Sequence, residues 1–62
     1  MLYYLSDAYN DIIGWSKETG KPGLYREDAN RAYFLLRAEA LDFIKILKKS
    51  YDRLPIFCIE RV

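Results

Sequence analysis

The sequence predicts a small α+β domain, an antiparallel sheet of three to four strands with one helix packed on one face. Three observations predict this class. Residues 37–51 repeat apolar side chains at helical spacing, runs of β-branched and aromatic residues stand on both sides of that stretch, and no linker or internal repeat divides the chain. We therefore expect one domain over residues 1–62, in the order β-β-β-α-β.

The first two strands are predicted at residues 2–5 and 12–15, where aromatic and β-branched residues are concentrated. Ser6, Asp7, Asn10 and Asp11 stand between them and are typical of a turn. We expect these two strands to form a hairpin with each other. Gly14, inside the second strand, indicates either a bulge or room for an aromatic ring from a neighbouring strand.

Residues 18–31 are predicted to be the main loop, because Gly20, Pro22 and Gly23 stand there among charged residues without apolar periodicity. Leu24 and Tyr25 are expected to fold back over an edge of the core. Residues 27–31 are expected to form a single helical turn that begins at an acidic pair.

The segment 32–36 can be interpreted in two ways. As a helix, it would extend the following helix backward to more than twenty residues; as a strand, it would be a short buried run before the helix begins. We favour the strand, because the long helix would be apolar nearly all round and a chain of 62 residues cannot bury such a helix. This segment is the third predicted strand.

The helix is predicted over residues 37–51, and one face of it should pack on the sheet. That face carries Ala40, Phe43, Ile44, Leu47 and Tyr51. Lys48 and Lys49 suit the carbonyl end of the helix, and Pro55 prevents its continuation. Residues 55–62 should form the last strand, with Phe57 and Ile59 toward the helix and Ile56 and Cys58 outward.

Composition argues against catalysis and against a bound metal or cofactor. Cys58 is the only cysteine and the chain contains no histidine, which excludes an internal disulfide, the common zinc sites and the usual acyl-transfer triads. The acidic pairs, Asp7 with Asp11 and Glu27 with Asp28, are explained by turns and helix starts. We therefore predict a non-enzymatic protein with no catalytic residue, metal or cofactor.

Location follows from the same composition. No apolar run approaches the length of a membrane span, and no leader of the secretory type opens the sequence. A single cysteine suits a reducing compartment. The expected location is the cytoplasm, without membrane association.

Nucleic acid is one candidate partner. Basic residues surround aromatic ones near the predicted loop, and such an arrangement can stack single-stranded bases. The basic residues are Lys17, Lys21, Arg26 and Arg31, and the aromatic ones are Trp15, Tyr25 and Tyr33. Glu18, Glu27 and Asp28 are interleaved with them and cancel much of the local positive field. With a net charge of +1, phosphate-driven binding is the weaker alternative.

A protein partner is the favoured prediction. The hydrophobic share is 52%, and one helix cannot cover every apolar side chain of a single-layer sheet. The candidate partner-binding residues are Tyr3, Tyr4, Trp15, Tyr25, Arg26, Arg31 and Ile56. Either a homodimer or a foreign protein would cover such a surface. Trp15 could instead be a core residue. A further alternative is that the whole protein is a structural subunit.

The order of segments also carries a resemblance. The segments YYLSD, DIIGWSK, AYFLLRAEALDFIKIL and PIFCIERV resemble, as a pattern, short phage-encoded accessory proteins in which strands precede one helix and a final strand ends the chain. Some of those proteins, including phage inhibitors of host RNA polymerase and certain anti-CRISPR proteins, act by stoichiometric binding. The resemblance implies an inhibitor or adaptor, in the host cytoplasm if the protein is viral, and transfers no specific binding residue.

Overall fold

A computed structural model describes residues 1–51 and 56–62, and over those residues it shows the predicted α+β class. The elements are β1 (Tyr3–Ser6), β2 (Ile12–Trp15), β3 (Pro22–Tyr25), a 3₁₀ turn (Asp28–Asn30), α1 (Arg37–Ser50) and β4 (Cys58–Arg61). The order β-β-β-α-β is confirmed.

The strands form two antiparallel pairs, and the prediction of one continuous sheet is wrong in this respect. Strand β1 pairs with β4, with Leu5 opposite Ile59. Strand β2 pairs with β3, with Ile13 opposite Leu24. The predicted hairpin between the first two strands is therefore also wrong: both strands exist, but each pairs elsewhere.

The hairpin forms between β2 and β3 instead, because residues 16–21, which connect these two strands, make a hydrogen-bonded turn. The Ser16 N–H donates to the Lys21 carbonyl at 2.9 Å, and the Gly20 N–H donates to the Ser16 carbonyl at 2.8 Å. Gly20 has a φ of 72°, a left-handed conformation that glycine adopts without strain. This turn directs the chain back along β2 and makes β3 out of residues predicted to be loop.

The third predicted strand, at residues 32–36, is not a regular strand, and the long-helix alternative is wrong as well. Phe34 makes a single antiparallel bridge to Tyr3, with backbone hydrogen bonds of 2.8 Å in both directions. Leu36 is extended, with φ −121° and ψ 142°, so the helix begins at Arg37. The Leu36 N–H donates to Glu39 Oε1 at 3.0 Å, which satisfies one backbone donor at this end of the helix.

Gly14 makes room for backbone rather than for an aromatic ring. A Cβ atom at this position would lie 1.7 Å from the Asn30 carbonyl oxygen. The Ala32 N–H donates to the Ile13 carbonyl at 3.1 Å, so the segment after the 3₁₀ turn lies directly against β2.

The predicted single helical turn at residues 27–31 is confirmed by the 3₁₀ turn.

The core lies between α1 and the two strand pairs, as the helical stripe predicts. Its buried cluster consists of Leu5, Ile13, Ala40, Phe43 and Leu47. The half-buried Ile44, Tyr51, Phe57 and Ile59 pack against that cluster, while Ile56 and Cys58 are exposed as predicted. Pro55, which the sequence assigned to the end of the helix and the start of the last strand, lies outside the described residues.

Candidate functional site

A shallow groove lined by five aromatic or aliphatic residues and two acidic ones opens beside the first half of α1. It is open to solvent and has a volume of about 380 Å³. Its lining residues, which we call the aromatic groove, are Trp15, Tyr33, Phe34, Glu39, Asp42, Phe43 and Ile46. They come from three parts of the chain: the end of β2, the bridge segment before the helix, and one helix face.

Strand β2 positions Trp15. Side chains alternate along a strand, so Trp15 shares a face with the buried Ile13, but it stands at the end of the strand, where the core stops. Its ring lies 4.8 Å from that of Phe43, with 76° between the planes, and 42% of the residue remains exposed. The Asn30 side chain donates to the Trp15 carbonyl at 2.7 Å and fixes the backbone there.

The helix supplies the floor and one rim. Glu39, Asp42, Phe43 and Ile46 recur at intervals of three, one and three residues, a spacing that places them on one helix face. Phe43 is buried and forms the floor, whereas Ile46 is 42% exposed. The helix therefore uses Phe43 for the core and the groove at once.

The bridge segment forms the other wall. The two hydrogen bonds between Tyr3 and Phe34 hold this segment in place, and the Phe34 ring lies 5.4 Å from that of Phe43. Tyr33 is 54% exposed, and its ring meets that of Tyr4 at 6.2 Å. The Arg31 guanidinium in turn lies 4.7 Å from the centre of the Tyr4 ring, which supports this wall from behind.

The charge of the aromatic groove is negative. Glu39 and Asp42 line it, and no Lys or Arg is among its lining residues. Within residues 1–51 and 56–62, the one ion pair joins Arg31 to Asp28, at 3.7 Å. The carboxylate charges of Glu39 and Asp42 are thus not compensated by an ion pair in the described part of the chain.

A second groove of about 380 Å³ lies on the side of the β2–β3 turn. Its lining residues, which we call the loop groove, are Ser16, Lys17, Glu18, Tyr25, Arg26, Glu27 and Asn30. Two cations and two anions stand together in this lining, so the charges nearly cancel. The Tyr25 hydroxyl donates to the Lys21 carbonyl at 2.6 Å and is already engaged within the hairpin.

The structure distributes the seven predicted partner-binding residues over several places. Trp15 lines the aromatic groove, and Tyr25 and Arg26 line the loop groove. Tyr4 contacts Tyr33 edge-on and carries Arg31 over its own ring, Tyr3 is half-buried in β1, and Ile56 is 88% exposed. These last four of the predicted residues line neither groove, so the seven do not form one surface.

In its protein-binding prediction, sequence reasoning missed six of the seven residues of the aromatic groove. Tyr33 and Phe34 were assigned to a strand, and Phe43 to the core alone. A signal was present on the helix: Ile46 lies off the main apolar stripe, four residues after Asp42 and seven after Glu39. An exposed apolar residue on the same face as two acids could have indicated a functional face.

The carboxylates of Asp7 and Asp11 organise the connection between β1 and β2. Asp7 Oδ1 accepts the backbone N–H groups of Tyr9, at 3.1 Å, and Asp11, at 3.0 Å. Burial raises the pKa of Asp11 above its ordinary value, and the Asp7 carboxylate raises it further, because it can accept a hydrogen bond from protonated Asp11 and its charge disfavours a second carboxylate nearby, while Arg26 acts in the opposite direction. These contacts are those of a turn, as the sequence predicts for this pair.

In the part of the chain that the structure describes, no three Cys, Asp or Glu side chains are grouped so that they could hold a metal ion. Within the same residues, the helix α1 is too short and too polar to cross a membrane.

Comparisons of this chain with protein-family models, with curated protein sequences and with solved structures find no match.

Proposed function

We propose that this protein is a non-enzymatic binding module, an inhibitor or adaptor that acts in the cytoplasm by stoichiometric binding of a protein partner in the aromatic groove. One observation carries the proposal. The half-exposed side chains of Trp15, Tyr33 and Ile46 surround a floor made by Phe34 and Phe43. Contiguous apolar surface around a concave centre is typical of interfaces.

Rigidity supports this use of the groove. Trp15 packs on Phe43, Phe34 packs on Phe43, and Tyr33 packs on Tyr4. Aromatic side chains held in this way lose little conformational entropy when a partner binds, and Trp and Tyr are enriched among the residues that dominate binding energy. The groove is thus prepared for binding before a partner arrives.

Charge favours protein over nucleic acid as the partner. The acidic rim formed by Glu39 and Asp42 would repel phosphate groups. Three of the four basic residues suggested for nucleic-acid binding have acidic neighbours: Lys17 and Arg26 share the loop groove with two acids, and Arg31 pairs with Asp28. A nucleic acid would meet no concentrated positive surface in either groove.

Selection from a displayed library of short random peptides tests the proposal. The wild-type protein should enrich peptides rich in apolar residues, and Tyr33→Ala should reduce binding of the enriched peptides at least about tenfold, the loss of an interface anchor. Tyr9→Ala is the matched control, because Tyr9 is 74% exposed but lines neither groove. Circular dichroism should show that both variants stay folded.

Two outcomes would contradict the proposal. One is that no peptide is enriched, or that Tyr9→Ala weakens binding as much as Tyr33→Ala. The other is tight binding of a single-stranded oligonucleotide that falls steeply with salt, at about 0.7 logarithmic units per tenfold salt for each phosphate contacted. That second result would favour the nucleic-acid alternative.

A further inference from the structure

We propose that the aromatic groove is specific for a basic side chain of the protein partner, an arginine flanked by apolar residues, with Asp42 and Glu39 as the groups that receive its charge. This inference rests on the proposed function and specifies the chemistry of the partner.

The two carboxylates retain binding capacity. Glu39 uses Oε1 to accept the Leu36 N–H at 3.0 Å, and within the described residues Oε2 has no hydrogen-bond partner. The Asp42 carboxylate forms no ion pair and accepts no hydrogen bond within residues 1–51 and 56–62. Lys45, three residues later on the helix, does not pair with it. Two carboxylate groups on one helix face are therefore available to a ligand.

The combination of apolar and acidic residues in the lining favours a cation with an apolar stem as the occupant. A wholly apolar ligand would cover Asp42 and Glu39 without compensation, and the covering of an uncompensated charge is unfavourable. An anionic ligand would be repelled. An arginine places its aliphatic stem against aromatic and aliphatic side chains such as Trp15 and Ile46, and its planar head group can pair with a carboxylate in two hydrogen bonds.

The size of the groove suits a short segment of the partner, whose remaining residues would lie outside the open side of the groove. A volume of about 380 Å³ lies at the lower end of the range of about 300 to 1,000 Å³ that ligand pockets occupy. It suits a few side chains of an extended peptide or of a loop. Arginine with apolar neighbours on either side meets both the size and the charge of the lining.

The test uses the displayed random-peptide library with a charge-neutralised double variant, Glu39→Gln with Asp42→Asn. The glutamine keeps an oxygen that can accept the Leu36 N–H, so the start of the helix is preserved. The matched control is Glu18→Gln with Glu27→Gln, which makes the same change of net charge in the loop groove. The readouts are the frequency of arginine in enriched peptides and the affinity of one enriched peptide.

We expect the wild type and the control to enrich arginine at one fixed position beside apolar residues. The double variant should lose the arginine preference while keeping the apolar one, and should bind the arginine peptide at least about tenfold more weakly. Replacing the arginine of that peptide by glutamine should weaken its binding to the wild type to a similar extent.

The outcomes separate this inference from the proposed function. If apolar peptides are enriched and depend on Tyr33 but show no arginine, or if the double variant keeps the arginine preference, the inference is wrong and the proposed function stands. If nothing is enriched, both fail. If sedimentation shows a dimer that Tyr33→Ala dissociates, a second copy of this chain occupies the groove and the inference is overturned.

Discussion

Two grooves of about the same volume lie on either side of the end of β2, and they differ in almost every chemical respect. Trp15 lines the aromatic groove, and the next residue, Ser16, lines the loop groove. The aromatic groove has the buried Phe43 as its floor and is lined by two acids and no cation, whereas the loop groove is built on a hairpin turn and is lined by cations and anions in equal number. Only the aromatic groove of the two combines aromatic surface with an unbalanced charge, and for this reason we propose it, and not the loop groove, as the binding site.

The largest expected effect is that of Phe43→Ala, because the floor of the aromatic groove is also part of the core. The change should cost about 3 to 5 kcal/mol in the free energy of unfolding, which is comparable to the whole stability of a domain of this size. The variant should be unfolded or nearly so in circular dichroism and thermal melting.

The loop groove supplies the contrast. Tyr25→Phe removes only the hydrogen bond to the Lys21 carbonyl and should cost about 1 kcal/mol or less. Two results would contradict this difference between the grooves: Phe43→Ala melts at the wild-type temperature, or Tyr25→Phe destabilises the protein more than Phe43→Ala does.

Gly14→Ala should have the next largest effect. A Cβ atom there would lie 1.7 Å from the Asn30 carbonyl oxygen, so the backbone at Asn30, a residue that lines the loop groove, would have to move. The expected cost is about 3 kcal/mol, at the upper end of the range for overpacking. Gly20→Asn is the control, because Gly20 has no neighbour near its Cβ position and asparagine tolerates a positive φ. Chemical denaturation measures both, and equal midpoints would contradict the close approach of residues 30–32 to β2.

A smaller effect sharpens the electrostatic part of the comparison. Arg26 of the loop groove lowers the pKa of Asp11, while burial and Asp7 raise it, with a net upward shift from the ordinary value of 3.8. Arg26→Ala should therefore raise the pKa of Asp11 further, and Lys17→Ala should leave it nearly unchanged. Carboxyl chemical shifts followed by NMR through a pH titration measure this directly, and equal responses to the two variants would mean that Arg26 does not act on Asp11.

The sign of the associated change in stability follows from linkage. Because the pKa of Asp11 is higher in the folded state, the folded protein binds its proton more tightly than the unfolded chain does. The contribution of Asp11 to stability therefore decreases as the pH rises from about 3.8 through the folded-state pKa, and it is constant at higher pH. Asp11→Asn should remove this part of the pH dependence of the melting temperature.

Local patterns predicted the helix and its buried face correctly. Ala40, Phe43 and Leu47 are buried because their spacing follows the helical period, and residues 56–59 alternate between exposed and half-buried positions because a strand alternates its faces. The sequence also predicted both β1 and β2. Each of these features depends on residues close together in the chain.

Pairing could not be predicted in the same way. The contact between β1 and β4 joins Leu5 to Ile59 across nearly the whole chain, and no local signal identifies such a partner. Strand β3 contains Pro22 and Gly23, which are rare in strands, and it forms because the turn at residues 16–21 returns the chain along β2. Tertiary context overrides propensity at this strand.

The aromatic groove was missed for a related reason. Trp15, Phe34 and Phe43 meet only when the hairpin, the bridge segment and the helix are assembled. The composition predicted a surplus of apolar surface but gave no position for it. Of the seven partner-binding residues proposed from the sequence, Trp15 alone lies in this groove. Tyr33, which the sequence suggested only for the nucleic-acid alternative, lies there too.

The most direct test of the central claim is an NMR titration of the labelled protein with an enriched arginine-containing peptide and, separately, with a single-stranded oligonucleotide. The peptide should shift the Trp15 indole signal and the signals of Tyr33, Asp42 and Ile46. The signals of Lys17 and Arg26 should not shift. The oligonucleotide should produce no saturable shift at physiological salt. Peptide shifts confined to the loop groove, or saturable oligonucleotide shifts in either groove, would contradict the assignment of the aromatic groove as a protein-binding site.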